Sequence, residues 1–269
     1  MMPDLDNTLD DAYANGPYID QAETYPPRWA ELAAAFRADL AVRGRAILDV
    51  PYGDGARHKF DLLQPEGAAK GVFIFVHGGY WLAFDKSSWS HLAAGPLARG
   101  WAVAMPSYDL CPAVRIADIT AQIAKAVTRA ATEVSGPIAL AGHSAGGHLV
   151  ARMVTPGVLP TEVAKRVAKV VPISPVADLR SLLQTSMNAK FQMTMQDAER
   201  ESPVLHPAPI ADVTVWVGAN ERPAFLDQAA WLAQAWNAPC VIDPEKHHFD
   251  VIDGIALGDS ELTNAVIGG

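Results

Sequence analysis

The chain has 269 residues, half of them hydrophobic, and a formal net charge of −9; that length is enough for one large α/β domain with a sizeable buried core. The acidic balance, without a cluster of Lys and Arg along the sequence, argues against nucleic acid and anionic membrane surfaces as partners and favours small molecules. Two cysteines, Cys111 and Cys240, are too few for a disulfide framework or a cysteine-built metal site and suit a reducing compartment.

Residues 1–16 are acidic and lack the basic start and apolar run of a secretory signal. The most apolar stretch, 72–84, is broken by Gly78-Gly79 and falls short of the ~20 residues a membrane span needs. The expectation is a soluble, cytoplasmic protein. Residues 1–27 are turn-rich, carry Tyr13, Tyr18 and Tyr25, and precede an amphipathic helix over 28–43. They are expected to pack as an arm over a single domain spanning 1–269, with 1–45 as arm and first helix; a disordered tail is the competing reading. Two β-type runs, 46–50 and 58–63, follow around a turn at 52–55, and the second alternates as an antiparallel strand with one wet face does. Near-continuous apolar runs at 72–76, 102–105, 138–141, 169–173, 213–217 and 240–242 suit strands buried on both faces. Helix-length segments at 88–99, 116–134, 148–154 and 222–236 separate them. This alternation predicts an α/β fold of about eight strands, mostly parallel with an antiparallel start, and helices on both faces. Ligands of such sheets bind at the carboxyl ends of the strands.

The residues with chemistry follow those ends. Gly142-His143-Ser144-Ala145-Gly146 lies between an apolar strand-like run and a helix-compatible one. On such a strand-to-helix turn the small residues let strand and helix approach, the Ser144 hydroxyl stands above the sheet, and the Ala145 N–H opens a helix. Ordinary helix-start chemistry produces the same pattern, so the turn needs company. His77-Gly78-Gly79-Tyr80-Trp81 follows the 72–76 run, and paired glycines there allow two backbone N–H groups to meet an oxyanion, with Ala145 as the third donor. A serine nucleophile needs a histidine to take its proton and an acid to orient that histidine. Glu221, after the 213–217 run, and the pair His247-His248, after the last run, supply both; Asp178 is an alternative acid. No His-Glu-x-x-His spacing or third ligand accompanies the histidine pair, so no metal is expected.

In chain order, serine, acid and histidine are arranged as in the α/β-hydrolases, and with its His-Gly-Gly loop the chain resembles their hormone-sensitive-lipase-like esterases. More narrowly, His77-Gly78-Gly79-Tyr80-Trp81, Gly142 to Leu149, Ile173-Ser174-Pro175 with Asp178-Leu179, Pro223-Ala224-Phe225 with Gln228, and His248-Phe249 resemble the bacterial kynurenine formamidase-like (arylformamidase-like) branch. The resemblance spans about 52–252. It implies an α/β-hydrolase fold with a minimal cap, no cofactor, Ser144 as nucleophile, His248 as general base and acid, and an oxyanion hole of Gly78, Gly79 and Ala145. That branch usually has Asp where this chain has Glu221, the same charge on a longer stem.

The residues around the site add further expectations. Segment 186–206, with the arm, is the candidate cap, and a short cap implies a small substrate. Tyr80, Trp81 and Phe191 are expected to wall a pocket for an aromatic group, with core filling as the competing role. The sequence points to hydrolysis of small esters or aryl formamides, with a catalytically inactive ligand-binding protein as the alternative; it leaves a homo-oligomer open.

Overall fold

Val72, Ile74 and Val76 face one side of their strand and Phe73 and Phe75 the other, because successive side chains of a strand alternate. The two sets join different buried clusters. In the computed structural model, which describes residues 7–269, these clusters are the two layers that sandwich a sheet. Its strands are β1 (Ala46–Pro51), β2 (Lys59–Leu63), β3 (Val72–Val76), β4 (Ala102–Pro106), β5 (Ile138–His143), β6 (Val167–Ile173), β7 (Asp212–Val213), β8 (Val215–Gly218) and β9 (Cys240–Asp243). They run in the order β1-β2-β4-β3-β5-β6-β8-β9, with β7 beside β6. β2 is antiparallel to β1 and to β4, and the remaining pairs are parallel. The α/β class, the antiparallel start and the parallel remainder are those the apolar runs predict.

Helices Ile116–Glu133, Ala145–Met153 and Pro223–Trp236 cover the Val72/Ile74/Val76 face through Ile119, Ile123, Leu149, Phe225 and Leu232. Helices Tyr25–Val42 and Glu261–Ile267 cover the Phe73/Phe75 face through Trp29, Leu40, Leu262 and Val266. Burying side chains of this size contributes about 1.5–3 kcal/mol each, so the two layers hold the sheet from both sides. Among the described residues no helix is long and apolar enough to cross a membrane.

Several expected elements differ. β2 has no wet face, being buried on both sides from Phe60 to Leu63, with Asp61 paired to Lys86 at 2.6 Å. The 88–99 segment is not one helix; 3-10 turns at Lys86–Ser88 and Ser90–Ala93 lead into a short helix, Ala94–Ala98. Pro96 lacks an N–H and would clash with an earlier carbonyl in a helix interior, so it is accommodated only in a first turn. The 213–217 run is divided at Thr214, whose N–H donates to Val170 O at 3.1 Å, giving β7 and β8. β5 continues through Gly142 and His143, paired with Pro172 and Ile173 of β6, and the next helix opens at Ala145, as the serine turn predicts, ahead of the 148–154 segment.

Candidate active site

Ser144 is the single residue between β5 and the helix Ala145–Met153, with φ 56° and ψ −116°. A non-glycine residue in such a conformation costs of order 1–3 kcal/mol and persists only where its surroundings fix it. Here the Ser144 N–H donates to Ile173 O at 2.8 Å, and Ser144 O accepts from the His148 N–H at 3.0 Å. The glycines on either side are required by contact: a Cβ on Gly142 would lie 2.2 Å from Gly146 O, and one on Gly146 would lie 2.0 Å from Val76 O. The serine is thus presented at the carboxyl edge of the sheet, beside the end of β3.

The loop after β3 packs directly on this turn, since a Cβ on Gly78 would lie 2.8 Å from His143 O and 3.1 Å from Ser144 Cβ. Gly79 has φ +104°, open to glycine but strained for other residues. The His77 ring bonds to backbone, its Nδ1 donating to Gly78 O at 2.8 Å. It stacks on Tyr108, with centroids 4.3 Å apart, and the Tyr108 hydroxyl donates to His77 O at 2.9 Å. Burial pushes the His77 imidazole down to about 4, so at neutral pH it is uncharged and donates from Nδ1. In a planar trans peptide the carbonyl and the following N–H point in opposite directions. Anchoring the Gly78 carbonyl therefore also fixes the direction of the Gly79 N–H. Tyr108 was not anticipated; nothing in its local sequence indicates a stacking partner far along the chain.

At the ends of β8 and β9, Glu221 Oε2 accepts from His248 Nδ1 at 2.6 Å, and both side chains are buried. The other carboxylate oxygen accepts from the Ser174 hydroxyl and from the Gly218 N–H, the latter at 3.0 Å. Bonding back to Gly218 folds the glutamate across the end of its own strand, which takes up its additional methylene. The two loops are tied by the Asn220 N–H donating to Lys246 O at 2.8 Å. With Nδ1 donating to Glu221, His248 Nε2 is left with its lone pair, as a proton acceptor requires. The ring lies between His143 and Phe225, with centroids 4.6 and 4.3 Å away. Burial, and then the neighbouring His248, hold the His143 imidazole well below its ordinary range, so it is uncharged at neutral pH. Asp178 is occupied elsewhere. It caps the 3-10 helix Leu179–Gln184 and pairs with Arg180 at 2.6 Å; burial works against its ionisation, but the Arg180 bonds hold it below the usual carboxylate range. His247 meets Tyr25 through its ring Nε2 and Asp250 through its backbone N–H instead.

The family described as the alpha/beta hydrolase family matches residues 73–257. The chain belongs to that family. It is 30% identical to a kynurenine formamidase of Drosophila melanogaster over 82% of this chain and 76% of the relative. With a kynurenine formamidase of Salmo salar it shares 28% identity over 83% of this chain and 81% of the relative. It is similar throughout to a candidate thioesterase from Silicibacter sp. TM1040, whose crystal structure superposes with a TM-score of 0.94 at 62% identity, covering 96% of this chain and 98% of that one.

In this α/β-hydrolase, Gly78, Gly79, Tyr80, Ser144 and His248 line one cavity of about 540 Å³. Its flat wall comes from Trp29, Phe84, Trp89 and Phe249, and no lysine or arginine is among the described residues lining it. Trp81 and Phe191 correct the expectation: both are fully buried and pack edge to face on one another, with centroids 5.6 Å apart. Tyr80 and Trp81 both take positive φ, 51° and 55°, and the turn they form leads Trp81 into the core against His148. The aromatic wall is built from the helix Tyr25–Val42 and the loops beside it, and of segment 186–206 the cavity meets only Ser186 and Met187. The arm closes the remaining side, with Tyr13, Asn15 and Pro17 at the cavity. Arg222 holds it there, pairing with Asp11 at 2.8 Å and lying 3.5 Å over the Tyr18 ring. Ser174, Asn15 and Trp29 were missed as site residues. A single asparagine or tryptophan carries no signal until the fold brings it to the cavity, nor a single serine until the fold brings it to Glu221.

Proposed function

We propose that this hydrolase cleaves small carboxylic esters or aryl formamides by acyl transfer. The Ser144 oxygen attacks the carbonyl carbon while His248 Nε2 takes the hydroxyl proton, and Glu221 holds the ring and stabilises the imidazolium that forms. The oxyanion is met by the N–H groups of Gly78, Gly79 and Ala145. When the bond to the leaving oxygen or nitrogen breaks, His248 returns the proton to that atom. Water then attacks the acyl-serine, giving its proton to His248, and the acid is released as Ser144 regains a proton.

The observation that carries this reading is the 2.6 Å bond from His248 Nδ1 to the buried carboxylate of Glu221, with His248 lining the same cavity as the strained serine. The aromatic wall favours a ring on the leaving group, consistent with relatives named kynurenine formamidase. The solved neighbour named as a candidate thioesterase shares the acyl chemistry, but a cavity wall without lysine or arginine offers no counter-charge to a phosphorylated thiol carrier.

A fluorophosphonate probe tests the mechanism. The wild-type protein is expected to be labelled at Ser144 and to hydrolyse phenyl formate, with both properties lost in Ser144→Ala. A protein that is folded yet unlabelled and inert would instead be a ligand-binding relative.

A further inference from the structure

The geometry points to Asn15 as the specificity residue that accepts a hydrogen bond from the leaving-group N–H of an aryl formamide, and so favours amides over the corresponding esters; this rests on the serine-hydrolase reading above. Asn15 is carried by the arm, is buried, and lines the main cavity. It also lines a smaller recess with Glu221 and His248. Asn15 and His248 both border the two spaces, so the asparagine belongs to the side of the cavity on which the leaving atom collects its proton from His248.

Among the described residues none hydrogen-bonds the Asn15 side chain. Its Oδ1 is buried with no hydrogen-bond partner among the described residues. The residue precedes the 3-10 helix Gly16–Tyr18, yet its side chain does not cap it. The position is secured through other groups: Asn15 O accepts from the Tyr18 N–H at 3.0 Å, and the preceding turn is fixed by the Tyr80 hydroxyl donating to Tyr13 O at 2.6 Å. A buried amide oxygen without a donor is costly, and buried polar groups are normally satisfied. Rotation about the terminal torsion, which has a broad energy profile, would exchange the places of Oδ1 and the NH2 group and offer the oxygen to the cavity, breaking no hydrogen bond to a described residue. A formanilide carries an N–H between carbonyl and ring; a phenyl ester carries an oxygen with no proton. Only the amide can satisfy Asn15, and a site that hydrogen-bonds an N–H discriminates strongly against an analogue lacking it. The ring attached to that nitrogen would then lie along Trp29, Phe84, Trp89 and Phe249.

The test compares kcat/KM on formanilide and phenyl formate, which share acyl group and ring, in wild type and Asn15→Ala. The ratio of amide to ester is expected to fall about ten- to hundredfold in the variant. Wild type should also prefer formanilide to N-methylformanilide at least about tenfold, a measurement that needs no variant to fold. An unchanged ratio, or equal rates on the two anilides, would overturn the role of Asn15 while leaving the hydrolase reading in place. Wild type inert toward phenyl formate and unlabelled by fluorophosphonate would overturn both.

Discussion

Glu221 differs from Asp178 in what its oxygens meet, and that difference sets their expected mutational behaviour. Glu221 receives His248, Ser174 and Gly218 as donors inside the protein, whereas Asp178 pairs with Arg180 at a helix start. Glu221→Gln keeps the shape but removes the charge opposite the imidazolium, so kcat is expected to fall by about 10³- to 10⁴-fold. Asp178→Asn should stay within about threefold of wild type; steady-state kinetics on phenyl formate compares the two, and comparable losses would mean that the acid is misassigned. Ser174→Ala removes one donor from a buried carboxylate, worth about 1.5–3 kcal/mol when the acceptor is charged. A fall in kcat of about tenfold or more, with KM little changed, is the expected result, since Ser174 acts through Glu221 rather than on substrate.

The helix after Ser144 and strand β3 approach so closely that a Cβ on Gly146 would meet two backbone carbonyls, Val76 O at 2.0 Å and His77 O at 2.6 Å. Backbone atoms cannot swing aside as a flexible side chain can. Gly146→Ala should therefore reach or exceed the ~3 kcal/mol upper end of ordinary overpacking, read as a drop in the urea midpoint. Gly16→Ala, with nothing within 4 Å of the added carbon, should change stability by less than about 0.5 kcal/mol. The arm is a second element-scale case. Arg222 holds Asp11 and Tyr18, so Arg222→Ala should loosen the cavity wall formed by the arm and raise KM several-fold, with a smaller effect on kcat; protease cleavage near residues 10–20 gives an independent measure.

Across the whole molecule, burial depresses four histidines: His77, His91 and His148 to about 4, and His143 well below its ordinary range. Unfolded, each titrates near 6.5, so between about pH 6.5 and 4 the unfolded chain binds more protons than the folded one. Stability therefore rises with pH across that window and falls on acidification, by about 1.4 kcal/mol per pH unit for each fully buried imidazole. His77 and His148 alone should lower the unfolding free energy by several kcal/mol between pH 6.5 and 4. Urea denaturation at fixed pH values checks this; a flat profile would mean that the buried rings are already protonated in the folded protein.

Much of this was legible locally. Strand β3 coincides with its apolar run because five successive apolar residues can be buried only where both faces of a sheet are covered. Gly142 and Gly146 disclose the turn around Ser144 because close backbone approach at their positions leaves room for no side chain. The helix start at Ala145 was legible from the serine turn, but the strand end at His143 was not, since glycines read as loop until their ladder partners are known. Which carboxylate meets His248, that Ser174 supports it, that Trp81 and Phe191 turn inward, and that Trp29 and Asn15 face the cavity were all decided by tertiary structure. The physical reason is common to them: each depends on contacts between residues far apart in sequence, brought to one edge of the sheet by the order in which its strands pair, an order that no local pattern of polarity encodes.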